Sequence, residues 1–300
     1  MSESGPPAGE RLALASARIP FQLKTAAVWA VIFALLVVFF HLSGFDVQWM
    51  RDNIGFIAEG LRYTFIIAVG GIALAIVLAG LGALGRLSSN PVAHGVSGFY
   101  VSFFRGTPLI VQIYLIYLAL PQIGANLAAR YDSFPQYVAD SLLLSATVSG
   151  ILALGLNYGA YMTEIFRAGI QSVAGGQGEA ADALGMTYGQ KMRKVVLPQA
   201  LRVIIPPTGN EFIAMMKDTA LIGFIGVQVD SAEIFRRAQL VGKADFKNLE
   251  AYIVAAALYW GLTVVFTFFQ GRLERRLSSG YVRLAPQRGG ARAGGGAGPA

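Results

Sequence analysis

The chain has 300 residues, of which 55% are hydrophobic and 14% charged, and its mean hydropathy is +0.55. Soluble domains carry about 25% charged residues, and a core built from this length cannot hide such an apolar excess, so a soluble class is excluded and lipid is the solvent that fits. No cysteine and only two histidines remove thiolate metal sites and disulfides and leave Ser/His triads and His-pair metal sites without material, so no catalytic residue, metal or cofactor is expected; the +7 formal charge is assigned to cytoplasmic loops rather than to nucleic acid.

In chain order, residues 1–25 carry Pro6, Pro7 and Gly9 and then Arg11, Arg18 and Lys24, and read as a flexible basic cytoplasmic lead-in. Residues 26–43 hold AAVWAVIFALLVVFFHL, which exceeds the roughly 7–15 apolar residues of a secretory signal and lacks a small-residue cleavage site, so an uncleaved transmembrane helix is predicted. A second span covers Leu61 to Leu84. Its Gly80, Gly82 and Gly85 formally spell G-x-G-x-x-G, but they close an unbroken apolar segment and read as small helix-packing residues. From Pro91 to Pro121 a single helix would cover about 46 Å, too long for one perpendicular crossing. Val92, Val96, Phe99 and Phe103 recur at helical spacing near a surface, Arg105-Gly106-Thr107-Pro108 interrupts, and PLIVQIYLIYLAL then enters the bilayer. Further spans are expected at about 137–172, 193–225 and 250–274. The fold class is therefore all-α, a polytopic membrane helix bundle of six spans. Residues 280–300 are a Gly/Ala-rich tail expected to be disordered. Lys191, Arg193, Lys194, Arg275 and Arg276 place both termini in the cytoplasm by the positive-inside rule.

Between the fourth and fifth spans the stretch from Gln171 to Pro207 is built like a docking element. Gly175, Gly176 and Gly178 release the preceding helix, Glu179 to Leu184 forms a short one, and Gly185 sits where a helix C-terminus takes a left-handed residue. Thr187 and Gln190 have capping-box spacing. Ala180, Ala181 and Leu184 make a small apolar face suited to a groove on another protein. A structured loop with no partner is the plainer reading of the same physics.

Glu179-Ala180-Ala181, then Gly185, then Val195-x-Leu197-Pro198 reproduces the signature E-A-A-x-x-x-G-x(9)-I-x-L-P, with Val in place of Ile. The chain thereby resembles the permease subunits of bacterial ABC importers. FFRGTPLIVQIYLIY from Phe103, LNYGAYMTEIFRAGIQSV from Leu156 and LPQALRVIIPPTGNEFIAMMKDTALIGFIG from Leu197 extend the resemblance to the polar amino acid permeases over about residues 55–275. It implies a five-helix core with residues 26–43 as an N-terminal addition, a bacterial inner-membrane location, and a coupling loop over 173–198 in which Glu179, Ala180, Ala181, Gly185, Leu197 and Pro198 meet the ATPase. It also implies the partners: a cytoplasmic ATP-binding subunit, a periplasmic solute-binding protein facing the 226–250 loop, and a second permease, identical or paralogous. No G-x-x-x-x-G-K-[ST] phosphate loop is present in the chain, so ATP hydrolysis belongs to a separate polypeptide and the chain itself is not an enzyme.

Polar groups at membrane depth face the bundle interior or a watery path. Asn157, Tyr161 and Glu164 fall at i, i+4 and i+7 and present an amide, a phenol and a carboxylate on one face, suited to an amino acid; Glu164 alternatively pairs with Arg167. Pro206, Pro207 and Gly209 predict a break or kink in the fifth span, followed by Asn210 and Glu211 as further path candidates. Gln112 and, more weakly, Tyr114 join them from the third span. Lys217 and Asp218 are expected to neutralise one another. An ion-coupled secondary amino acid transporter is the competing reading. It requires no docking loop and usually shows repeated halves, and no strong internal repeat is visible here.

Overall fold

The computed structural model describes residues 20–131 and 133–278, and every regular element among them is helical. Most of the expected lead-in and the whole Gly/Ala-rich tail lie outside the described residues. The first helix, α1 (Phe21–Leu42), opens after Pro20 and so starts before residue 26, because Phe21 and Leu23 extend the apolar run. None of its residues is buried. A short helix, α2 (Val47–Ala58), follows where Asp46 accepts the Trp49 N–H at 2.9 Å, a cap that the hydropathy pattern does not announce. That backbone N–H holds the half-buried Asp46 carboxyl below its ordinary range.

Then come α3 (Leu61–Leu87), α4 (Pro91–Gly106), α5 (Leu109–Arg130), the short α6 (Gln136–Ser141), α7 (Ala146–Ala174), α8 (Gly176–Ala183) and α9 (Tyr188–Lys191). A π-turn over Met192–Val196 leads into α10 (Leu197–Asp218), 3-10 turns at Thr219–Ile225 and Val229–Ser231 precede α11 (Ile234–Ala244), and α12 (Asn248–Ser278) closes the described chain. By length and composition α1, α3, α5 and α12 suffice to cross a membrane. The helices α7 and α10 are comparably long, at 29 and 22 residues, but carry the polar side chains described below. A helix surrounded by others need not be apolar all round.

The centre of the bundle is the pair α3 and α7, and small residues let them approach. A Cβ on Gly70 would fall 2.9 Å from the Ile151 side chain, one on Gly155 would fall 2.6 Å from that of Leu74, and Gly82 abuts Thr163. These pairings run in the same order along both helices, so α3 and α7 are parallel. Gly150 faces Ile222 and Gly169 faces Ile204, so α10 returns antiparallel to α7. The resulting core joins Ile67 and Ala75 of α3, Ile113 of α5, Leu154 and Met162 of α7 and Met215 of α10. In a bilayer such a core is held by close van der Waals packing rather than by removal from water, since lipid tails are as apolar as these side chains.

The antiparallel return puts α8 at one end of the bundle and α11 at the other. At the α11 end a second cluster packs Ile57 of α2, Ile234 and Ala238 of α11, and Ala251, Val254 and Ala255 of α12. Glu233 is fully buried beneath it. Its carboxylate caps α11 by accepting the Phe235 and Arg236 N–H groups at 2.7 Å, and it accepts the Tyr259 hydroxyl at 2.6 Å. Burial pushes this carboxyl up, against the downward pull of those hydrogen bonds. Gly60 is glycine because a Cβ there would fall 2.5 Å from the Ile234 nitrogen.

Candidate functional site

The segment after α7 is shaped by its glycines and one proline. α7 ends at Ala174, and α8 begins at Gly176, so Gly175 alone separates them while Gly176 and Gly178 are helical. The short helix therefore starts earlier than Glu179. It ends in a Schellman turn: Gly185 has φ +72°, the Met186 N–H donates to Ala181 O at 3.1 Å, and the Gly185 N–H donates to Asp182 O at 2.9 Å. Thr187 and Gln190 make both bonds of the capping box that opens α9. Pro198 supplies no N–H to the ladder, and just before it the Leu197 N–H reaches Met192 O across a π-turn. Lys191 clasps Asp182 at 2.7 Å, and Gln199 donates to Gln177 at 2.9 Å.

The surface of this segment is mostly exposed. Glu179, Ala180, Gly185, Leu197 and Pro198 face outward, with Leu184 78% and Tyr188 71% exposed. Ala181 is buried against its own chain, so the apolar face offered to a groove is Ala180, Leu184 and Tyr188.

The second site begins at a break in the backbone. Thr107 is extended, as the residue before Pro108 must be, and α4 stops at Gly106 while α5 starts at Leu109. Two buried amides repair the break. The Gln112 Nε2 group reaches Phe104 O at 2.9 Å, Thr107 O at 3.1 Å and Thr107 Oγ1 at 2.7 Å. Asn157 Nδ2 donates to Phe104 O at 3.0 Å and to Gln112 Oε1 at 3.1 Å. The Asn157 carbonyl oxygen accepts no hydrogen bond among the described residues, although the residue is only 6% exposed. It borders a cavity of about 380 Å³ lined by Thr107, Pro108, Leu109, Asn157, Tyr158, Tyr161, Glu211 and Asp218. A larger cavity of about 560 Å³ beside α3 and α4 is walled by Leu78, Leu81, Val92 and Val96 among others, an apolar lining with little to hold a polar solute.

The structure thus brings Asn157, Tyr161 and Glu211 to one cavity, with Gln112 directly behind it. Glu164 is elsewhere: it is ion-paired with Arg167 at 2.7 Å and Arg86 at 3.4 Å, and does not line the cavity. Asn210 turns toward α12, where it accepts from Gln270 at 2.8 Å. Tyr114 donates to Phe224 O at 2.8 Å. The break expected at Pro206 and Pro207 does not occur, since α10 runs through both; the Pro206 carbonyl accepts the Gln270 amide at 3.1 Å instead. Nor do Lys217 and Asp218 form an ion pair. Adjacent helical residues diverge, so Lys217 is exposed while Asp218 turns to the cavity and accepts the Tyr158 hydroxyl at 2.8 Å. The heptad spacing of Glu211 and Asp218, two turns along one face, is the sequence signal that exposes this pair. The Arg105 guanidinium lies 5.1 Å from the centre of the Tyr161 ring.

The profile of the family described as binding-protein-dependent transport system inner membrane component matches residues 71–279. The chain is 38% identical to the probable amino-acid ABC transporter permease protein PatM of Vibrio harveyi, over 80% of this chain and 100% of that one. It is 38% identical to the arginine transport system permease protein ArgU of Corynebacterium glutamicum, over 77% of this chain and 71% of that one. Among solved structures it is similar to an amino acid ABC transporter crystallised with histidines, with a TM-score of 0.63 and 34% identity over 77% of this chain and 98% of that chain.

Proposed function

The chain belongs to the binding-protein-dependent transport system inner membrane components, and from that premise we propose that it is the permease subunit of an ABC importer for polar amino acids in a bacterial inner membrane. ATP hydrolysis belongs to a separate subunit, and this chain is not itself an enzyme. In our reading a periplasmic solute-binding protein delivers substrate at the α11 end. A cytoplasmic ATPase grips the α8 end through Glu179, Ala180, Ala181, Gly185, Leu197 and Pro198, and a second permease, identical or paralogous, completes the path. Six crossings follow: α1 as the addition, then α3, the broken pair α4 and α5, α7, α10 and α12 as the five-helix core, with both termini cytoplasmic. Asn157, Tyr161 and Glu211 line the substrate path, Gln112 supports it, and Glu164 and Asn210 act through the helices they tie together.

One observation carries this reading. The two helices that flank the exposed segment, α7 and α10, are also the two that supply Asn157, Tyr158, Tyr161, Glu211 and Asp218 to the cavity. A force applied at α8 reaches α7 through the single residue Gly175 and α10 through the Gly185 turn, α9 and the five-residue π-turn, irregularities that transmit position but permit rotation. Any change in the angle between α7 and α10 at that end alters the spacing of cavity groups on opposite walls. Alternating access then needs no contact between ATP and substrate, only two stable settings of this helix pair.

The test is uptake of radiolabelled amino acids by cells of the source organism with the gene deleted and restored, together with reporter fusions after Gly185 and Gly280. Restored uptake that depends on ATP and not on an ion gradient, with both reporters cytoplasmic, is the expected result. Uptake that collapses with the ion gradient while ATP is maintained would establish the secondary transporter instead.

A further inference from the structure

Helix α2 is too short to cross a membrane. It begins at Val47, just past the end of α1 at Leu42, and stops at Ala58, just before α3 opens at Leu61. Its 12 residues reach about 18 Å, well short of a hydrocarbon core of about 30 Å. Both of its ends are held at the level where a long apolar helix ends. At the start, Asp46 lies 3.3 Å from Lys247 and the Trp49 indole donates to Asp245 at 2.7 Å, beside the first residues of α12. At the far end Ile57 packs with Ile234, and Gly60, which leads into α3, abuts the same residue. A helix pinned in this way lies along the boundary of the membrane rather than across it.

Around its axis α2 divides into three sectors. Trp49, Met50, Phe56 and Ile57 pack on α11 and α12. Gln48, Asp52 and Glu59 form an exposed polar stripe, with the Gln48 amide donating to Asp52 at 3.0 Å. Val47 and Ile54, two turns apart, form a third sector that is apolar yet exposed. An outer surface that is apolar toward one side and polar toward the other, with protein behind it, is what the membrane–water boundary favours. The adjoining corner has the same character. Phe246, 91% exposed, and Leu249, 59% exposed, sit where α11 hands over to α12. Leu249 shares its helix face with Trp260 and Val264, both exposed on a helix apolar enough to cross a bilayer.

We propose that α2 and the α11–α12 corner form an interfacial anchor seated in the lipid headgroup layer, with Val47, Ile54, Phe246 and Leu249 dipping toward the acyl chains and Gln48, Asp52 and Glu59 in water. The proposal rests on α1, α3 and α12 being crossings, and adds where the boundary passes. Lipid is the occupant of the apolar sector because that sector is level with the ends of these three helices and continues the exposed stripe of α12. Arg51 stands on the border of the two outer sectors, where its aliphatic stem lies along lipid and its guanidinium reaches the phosphates. A solute-binding protein approaching the α11 end meets the polar stripe instead. Through its ties to α11 and α12 the anchor gives α7 and α10 a stationary rim against which to turn.

The chain has no cysteine, so a nitroxide label can be attached at one position at a time in the full-length protein, reconstituted in nanodiscs of phosphatidylcholine and phosphatidylglycerol. Labels on Ile54→Cys and Phe246→Cys are expected to relax with oxygen, which concentrates among acyl chains, and a label on Asp52→Cys with a water-soluble nickel chelate, the oxygen-to-nickel ratio differing by about fivefold or more between the two sectors. Val47→Cys stands in for either apolar-side variant that fails to insert. Val264→Cys, on the exposed stripe of α12, reports on the crossing beneath the proposal. Oxygen access at Val264 with nickel access at Ile54 and Phe246 would overturn the anchor alone and leave the corner in water as a surface for the binding protein. Low access to both reagents at Ile54 and Phe246 would place a protein partner on the sector and overturn the lipid assignment. Nickel access at Val264 as well would overturn the crossing by α12 and the anchor with it.

Discussion

The two ends of this bundle are finished in opposite ways. At the α11 end the protein answers most of its own polar groups: Glu233 is fully buried yet meets three donors, Arg237 lies 2.6 Å from Glu59 and over the Phe56 ring although its Nε has no partner among the described residues, and Trp49 donates to Asp245 at 2.7 Å. At the α8 end a helix of eight residues buries only Gly178 and Ala181 and leaves Leu184 and Tyr188 to solvent. Buried polar groups are costly unless paired, so an end that pairs them internally resists opening. An end held by a Schellman turn, a capping box and one exposed lysine clasp has little internal cohesion. The contrast separates an end whose polar groups are mostly answered from within from an end that leaves apolar side chains exposed, the end that our reading gives to the ATPase.

The largest expected effect therefore lies at the self-satisfied end. Glu233→Ala strands the Tyr259 hydroxyl and two backbone N–H groups in a buried site and removes the α11 cap, which together are expected to cost about 3 kcal/mol or more. Thermal unfolding of the detergent-purified chain measures it, and an unchanged melting temperature would break the comparison outright. Gly185→Glu comes next. Its strained left-handed backbone and a carboxylate at the negative end of α8 cost about 1–2 kcal/mol locally, yet the expected phenotype is functional: normal membrane abundance, with substrate-stimulated ATP hydrolysis by the assembled transporter lost. Stimulation at the wild-type level would mean that the α8 end does not couple to the ATPase.

Phe246 sharpens the contrast from the other side. It closes α11 at φ +56°, where the following Lys247 N–H reaches Gly242 O at 2.8 Å, so a phenylalanine occupies the position of a Schellman glycine and is 91% exposed. Phe246→Gly relieves that strain and is expected to stabilise the chain by about 0.5–1 kcal/mol. A lower melting temperature would show that the phenyl ring contributes packing the exposure does not reveal. Smallest of all, Lys191→Ala removes the clasp to Asp182, a largely exposed carboxylate, and is expected to shift unfolding by less than about 1 kcal/mol. A larger loss in calorimetry would show the α8 end to be more cohesive than its burial indicates.

Much of the α8 end was legible because its determinants are local. A left-handed glycine, a Thr-x-x-Gln box and a proline act over a single turn, and Gly185, Thr187 and Gln190 adopt the conformations their order demands. The boundary of α8 was less so: Gly176 and Gly178 are weak helix formers, yet both are helical, with Gly178 buried. The cavity was legible in part. Asn157 and Tyr161 fall on one face by helical spacing, but the same spacing includes Glu164, which is held away by Arg167, the local pair the sequence also offered, and by Arg86 of α3, 78 positions earlier in the chain. Asp218 was hidden by its neighbour Lys217, since sequence adjacency suggests a pair that helical geometry separates.

By itself the sequence determined that this chain lives in lipid, that it is helical throughout its apolar stretches, and that the segment around Gly185 is a capped, exposed turn. Each of these follows from transfer free energies or single-turn backbone preferences, which need no knowledge of distant residues. The sequence placed one interruption at Pro108, and only the tertiary structure decided that not every proline expected to break a helix does so. Pro108 does, because Gln112 and Asn157 are present to take up the freed carbonyls; Pro206 and Pro207 do not, because Gln270 on α12 satisfies the Pro206 carbonyl and lets α10 continue. A backbone group freed by proline must find a partner in the membrane, and the partner's position is a property of the packed bundle rather than of the local sequence.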